Sequence, residues 1–136
     1  MSELRVSLVI GADGMIGRAL ARHLASMGEP VIETTRRSES VSDRRLFLDL
    51  SDDPADWRPT GPVSTAYFCA AATSLERCRQ NPIESARINV HHTLTLAKSL
   101  VADGTHIVFP STNLVFDGSR PFVKADEPQC PRTEYG

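Results

Sequence analysis

Three glycines, Gly11, Gly14 and Gly17 in "GADGMIG", stand between an apolar run and a helical pattern, and this placement restricts the fold more than any other feature of the chain. The run before them, "RVSLVI" over 5–10, carries the β-branched residues of a short strand. The segment after them, "MIGRALARHLASM", repeats apolar residues at helical spacing through Met15/Ile16, Ala19/Leu20, Leu24 and Met27. A strand, a tight turn and a helix in that order leave the unpaired N–H groups of the first helical turn beside the glycines. Gly11 then serves the turn, Gly14 lets the backbone approach a pyrophosphate with no Cβ in the way, and Gly17 allows the helix to pack closely. The spacing and its setting together predict dinucleotide binding.

The same alternation continues along the chain. Gly28 stops the first helix, and "VIETT" after Pro30 reads as a second strand. "RLFLDL" reads as a third strand, followed by turn-rich text around "SDDPADW" and a fourth strand in "VSTAYFCAA". One long helix is predicted from Pro82 through Asp103, with Ala86, Val90, Leu94, Ala97 and Val101 recurring every three or four positions and Gly104 as its stop. "THIVFP" is the fifth strand, and Pro110 onward reads as loop up to Tyr135. Parallel neighbours need crossover connections, so the fold class is α/β: a Rossmann-like, doubly wound parallel sheet covered by helices on both faces and ending after about five strands. Residues 1–136 are read as one NAD(P)-binding domain.

Composition narrows the function classes. With 40% hydrophobic residues, 24% charged residues and a net charge of −2, the chain has no basic tract for nucleic acid or for an anionic membrane. The pairs Arg36-Arg37 and Arg44-Arg45 are too short to form such a tract, and their plain reading is solvated loop charge. Three cysteines, Cys69, Cys78 and Cys130, fit neither a disulfide framework nor a metal motif, which points to a reducing, cytoplasmic setting. The N-terminal residues do not read as a signal peptide, and no apolar run approaches the ~18 residues of a membrane span. His91 and His92 are consecutive on a helix and point about 100° apart, so no metal site is predicted there, and surface or capping roles suit them. His23 and His106 have no partner pattern.

The spacing of Gly11, Gly14 and Gly17 resembles the short-chain dehydrogenase/reductase superfamily, and "GADGMIGRAL" resembles its extended branch of nucleotide-sugar epimerases, dehydratases and reductases. The resemblance makes Asp13, Met15 and Ile16 part of the cofactor loop along with the three glycines. In "LDLSD" it implies that Asp49 accepts a hydrogen bond from the adenine amino group and that Leu50 packs near the ring. In "CAAAT" it implies that Ala70, Ala71 and Ala72 line the cofactor, and in "ARINVHHTLTLAKSL" it identifies the helix that carries the family's asparagine, here Asn89.

The 2′ end of such a cofactor is read where the second strand ends. An acid there binds the ribose hydroxyls of NAD, whereas an arginine accommodates the phosphate of NADP. In "VIETTRR" the residues following the strand are Arg36 and Arg37; Arg36 can pair with phosphate bidentately, Arg37 can add charge, and Thr34 and Thr35 can donate hydrogen bonds. NADP is favoured. Glu33, about twenty residues beyond the loop, is the competing candidate and would select NAD.

"FPSTNLVFDG" resembles the serine/threonine segment after the fifth strand in dTDP-4-dehydrorhamnose reductase-like proteins, with Asn113 and Leu114 replacing the usual Asp-Tyr. The match implies that Thr112, with Ser111 beside it, hydrogen-bonds a substrate carbonyl. "EPQCPRTEYG" resembles the loop leading into Tyr-Gly-x-x-Lys, which makes Tyr135 the general acid/base; the lysine falls beyond Gly136. A phenol ordinarily titrates near about 10, and in the family that lysine holds it lower and binds the nicotinamide ribose. The resemblance therefore implies the N-terminal portion of an NADP-dependent reductase of a nucleotide-activated sugar, with a homodimer an open option and with 136 residues inactive by themselves. A nucleotide-sugar epimerase or dehydratase is one alternative. A non-catalytic NADP-binding subunit, like the regulatory subunit of methionine adenosyltransferase, is another.

Overall fold

The computed structural model describes residues 5–136. Five strands, β1 (Ser7–Ile10), β2 (Val31–Thr35), β3 (Arg45–Phe47), β4 (Thr65–Phe68) and β5 (His106–Val108), form one sheet in the order β3-β2-β1-β4-β5, with every neighbouring pair parallel. The helices are α1 (Met15–Ser26), α2 (Leu75–Gln80), α3 (Pro82–Ala86) and α4 (Thr93–Ala102), with a π-helical turn over Arg87–His92 joining the last two. None of them is long and apolar enough to cross a membrane.

The centre of the sheet follows from the continuous apolar text of β1. Leu8, Val9 and Ile10 are fully buried, as expected of a parallel strand covered on both faces. Alternation divides them between two cores. Leu8 and Ile10 pack with Leu96 and Leu100 of α4, while Val9 packs with Ala21 and Leu24 of α1. A Leu96→Ala change at this depth would cost about 2–5 kcal/mol. Gly28, at φ +82°, ends α1 in the left-handed conformation that lets the chain reverse into β2.

Several elements differ from the sequence expectation. β3 closes at Phe47 because the Asp49 side chain accepts from the N–H and hydroxyl of Ser51 and turns the chain. β4 is four residues long rather than nine. As the turn-rich text suggested, the link between β3 and β4 carries no α-helix, nor does the link between β2 and β3, and the half-buried Trp57 packs against that part of the core, donating its indole N–H to the Phe47 carbonyl at 2.9 Å. α2 is an additional helix, started by Ser74, whose hydroxyl accepts from the Arg77 N–H. The predicted helix over 82–103 is present but is wound as α, then π, then α. Within the widened turn, the Thr93 hydroxyl donates to the Ile88 carbonyl five residues back, at 2.8 Å.

The chain crosses from β3, on one side of β1, to β4 on the other. That reversal leaves a crevice beyond the carboxyl ends of β1 and β4, the position at which open α/β sheets receive ligands.

Candidate functional site

A cleft of about 670 Å³ occupies this crevice. Its floor is the glycine loop. Gly11 takes φ +88°, and a Cβ there would come within 2.8 Å of Ala70, so only glycine lets the loop turn against the end of β4. A Cβ on Gly17 would collide with the Gly11 carbonyl oxygen, which is why the helix can approach the loop only with glycine at that point. Gly14 is different: a Cβ there would meet nothing closer than the Gly11 oxygen at 3.5 Å, and the residue borders the cleft. The first turn of α1 has no side-chain cap and no acidic residue, so its N–H groups and dipole present a positive end to the cleft. This glycine-walled, uncapped helix end fits the pyrophosphate of a dinucleotide.

The loop is bonded to the end of β2. Gly11 donates its N–H to the Thr34 hydroxyl at 2.9 Å, and Ala12 donates to the Thr34 carbonyl at 3.2 Å. Asp13 accepts from the Thr35 hydroxyl at 2.8 Å and the Arg36 N–H at 3.2 Å through one oxygen, and from Arg45 at 2.6 Å through the other. Burial pushes the Asp13 carboxyl up, but the bonds from Thr35, Arg45 and the Arg36 backbone outweigh it and hold the group below its ordinary value. Thr35 is thus committed to Asp13 and to the Arg37 N–H, and is not available to a phosphate as the sequence suggested.

At the end of β2, Arg36 lines the cleft, and Arg37 and Glu33 do not. Glu33 is held by Arg45 at 2.7 Å. Arg45 is therefore not loose loop charge; it sits on β3 opposite Glu33 and bridges two carboxylates. The cross-strand pairing of Glu33 with Arg45 is the signal that could have found it, once the register was known.

The far wall holds Asp49 and Leu50. Burial pushes the Asp49 carboxyl up, but the Ser51 N–H and hydroxyl, with the Arg36 charge, bring it below its ordinary value. Leu50 is buried, and its carbonyl lies 2.7 Å from Nδ1 of His92. His92, expected at the surface or at a cap, is instead half-buried against this wall.

Ala70, Ala71 and Ala72 line the opposite wall after β4, along with Cys69 and Cys78. Burial raises the Cys69 thiol above its ordinary value, and the Cys78 thiol donates to the Ala72 carbonyl at 3.3 Å. Asn89 does not border the cleft. It stands behind the wall, accepting from the Ala72 N–H at 2.8 Å and donating to the Ala72 carbonyl at 3.0 Å. Met15 and Ile16 are exposed at the mouth.

Thr112 and Tyr135 are not among the residues that line the cleft. Thr112 caps a short 3-10 turn over Asn113–Val115, its hydroxyl accepting from the Leu114 N–H at 3.3 Å. The last residues fold back on that turn: Cys130 donates its N–H to the Val115 carbonyl at 2.8 Å, and Gly136 packs so tightly on the Leu114 carbonyl that a Cβ would collide with it. The two segments that carry Thr112 and Tyr135 are therefore brought together, and a second hollow separates residues 131–136 from α2.

The sequence matches the family described as the RmlD substrate binding domain over residues 5–136. A dTDP-4-dehydrorhamnose reductase from Streptomyces griseus is 33% identical over 131 residues, which is 95% of this chain and 40% of that protein. The methionine adenosyltransferase 2 subunit beta of Pongo abelii is 26% identical over 95% of this chain and 39% of its own length. Among solved structures, MoeE5 in complex with UDP-glucose and NAD superimposes with a TM-score of 0.82 at 28% identity, covering 97% of this chain and 44% of that one. The chain spans about two fifths of the length of the curated relatives it matches.

Proposed function

Because the chain belongs to the RmlD substrate binding domain family, within the short-chain dehydrogenase/reductase superfamily, we propose that it is the NADP-binding portion of a reductase that acts on the carbonyl of a nucleotide-activated sugar. The observation that carries this reading is the cleft itself: a glycine-walled helix end on one side, and Arg36 at its β2 rim with no carboxylate from Glu33 beside it. The similarity to proteins named dTDP-4-dehydrorhamnose reductase supports the substrate class.

Within this reading each residue has a definite task. The α1 N-terminus and Gly14 receive the pyrophosphate, and Arg36 pairs with the 2′-phosphate. Asp49 accepts from the adenine amino group through the carboxylate oxygen that Ser51 leaves unused, and Leu50 backs the ring. Arg37 contributes charge near the rim without contact, Ala70 and Ala71 leave room for the nicotinamide half, and Asn89 acts only by positioning Ala72. A reduced nicotinamide supplies hydride chemistry at such a site. Thr112 donates a hydrogen bond to the carbonyl oxygen, and the Tyr135 phenol gives that oxygen its proton, leaving an alcohol and a tyrosinate that is reprotonated from solvent.

The test measures binding and turnover of the protein with NADPH, NADH and a 4-keto nucleotide sugar. NADPH is expected to bind more tightly than NADH, and Tyr135→Phe should lower turnover by about 10²-fold or more while leaving the dinucleotide affinity unchanged. Failure of both dinucleotides to bind would end the reading. The position of Thr112 and Tyr135 outside the cleft, with the similarity to the methionine adenosyltransferase subunit, favours one alternative, a non-catalytic NADP-binding subunit. Tight NADPH binding with no turnover in the full-length protein would select it.

A further inference from the structure

We propose that Arg45 determines cofactor specificity at the 2′ end by acting through Asp13: it neutralises a carboxylate that would otherwise repel a 2′-phosphate and accept from a 2′-hydroxyl. The inference rests on the reading of the cleft as an NADP site.

Asp13 and Arg36 belong to the same wall, and Asp13 accepts the Arg36 N–H directly. A negative group thus stands one hydrogen bond from the residue assigned to an incoming phosphate. The carboxylate that marks NAD sites stands at the end of the second strand and accepts from ribose hydroxyls; Asp13 belongs to the glycine loop but reaches that strand end through Thr35 and Arg36. Here its charge is compensated. One oxygen of Asp13 accepts from Thr35 and the Arg36 backbone, and the other accepts from the Arg45 guanidinium at 2.6 Å.

Arg45 is held for this purpose by the sheet. β3 pairs with β2 so that Arg45 lies opposite Glu33, which binds its other terminal nitrogen at 2.7 Å. The guanidinium therefore points along the strand ends toward Asp13, and its Nε is buried without a partner among the described residues. An arginine that leaves a buried donor unsatisfied in order to span two acids is placed by those acids, and its charge is shared between them. Taking Arg45 away changes the charge of the Asp13, Glu33 and Arg45 cluster from −1 to −2 and frees one Asp13 oxygen on the cleft wall.

The experiment compares the Kd of adenosine 2′,5′-bisphosphate with that of 5′-ADP, both by calorimetry on the purified protein. In Arg45→Met the bisphosphate should bind at least about tenfold more weakly and 5′-ADP should be unchanged or tighter, a factor that corresponds to one close charge interaction. Arg45→Lys, which keeps the charge, should retain the wild-type ratio to within about threefold, and Asp13→Asn in the Arg45→Met background should restore it. Because Arg45→Met strands two carboxylates, Glu33→Gln/Arg45→Met is measured as well; it leaves only Asp13 unpaired and should show the same change in ratio. Equal weakening of both probes, or no restoration by Asp13→Asn, overturns the proposal. A wild-type protein that binds 5′-ADP more tightly than the bisphosphate overturns the NADP reading instead, and the change of ratio in Arg45→Met still decides the role of Arg45.

Discussion

Asn89 holds Ala72 by both of its backbone groups, its carboxamide oxygen accepting at 2.8 Å and its nitrogen donating at 3.0 Å. The carboxamide carries both a donor and an acceptor, which an ionised carboxylate of the same shape does not. Asn89→Asp retains the acceptor but places a carboxylate oxygen against the Ala72 carbonyl. A loss of about 1–3 kcal/mol in urea unfolding is expected. Dinucleotide affinity should fall with it, because Asn89 does not line the cleft itself but holds Ala72, which does.

The three glycines should separate into two kinds. The Cβ of Gly14→Val makes only an ordinary contact with the Gly11 oxygen, so this variant should keep most of the thermal midpoint while abolishing dinucleotide binding. Gly17→Val drives a side chain into the Gly11 carbonyl and should destabilise the fold by several kcal/mol, on the order of the large values seen for overpacking. Calorimetric binding and a thermal melt on the two variants check the contrast.

Arg36→Ala should weaken NADPH by about 1.5–3 kcal/mol, tenfold or more, and NADH by little. Glu33→Ala should not selectively weaken NADH, because Glu33 faces Arg45 and not the cleft. A selective loss of NADH in Glu33→Ala would return the strand-end acid to the NAD role.

Asp13 and Asp49 both lie below their ordinary values. A depressed carboxylate stabilises the fold fully above the unfolded value, about 3.9 for aspartate, and loses that contribution as the pH falls through the folded value. Stability should therefore decline from about pH 4 downward. Asp49→Asn should make that acid limb shallower, as read by urea midpoints between about pH 5 and pH 2.5.

What could be read beforehand was what local text encodes. β2 coincides with "VIETT", α1 follows its apolar spacing to within a residue, and Gly11 and Gly17 sit where a Cβ would collide. What could not be read depends on neighbours far along the chain. "LERCRQ" has too few apolar residues to signal a helix, and only the Ser74 cap marks its start. Arg45 opens a strand already legible in the sequence, but its two acidic partners are not visible until β3 is set beside β2, and the contact of His92 is not visible until the helix is laid against Leu50. Thr112 and Tyr135 are 23 residues apart in sequence, and no local pattern could show that the 113–115 turn and residue 136 pack together.

The π-helical turn gives the long helix an unusual tolerance profile. Asn89 and His92 are mounted on it and grip the two opposite banks of the cleft, at Ala72 and at Leu50. In ordinary α winding each residue added or removed rotates everything beyond it by about 100°. Shortening 87–92 by one residue would return the turn to that winding and swing one grip off its bank while leaving every apolar letter in place. The length of this helix is therefore held as tightly as the identities of Asn89, His92, Leu96 and Leu100 along it.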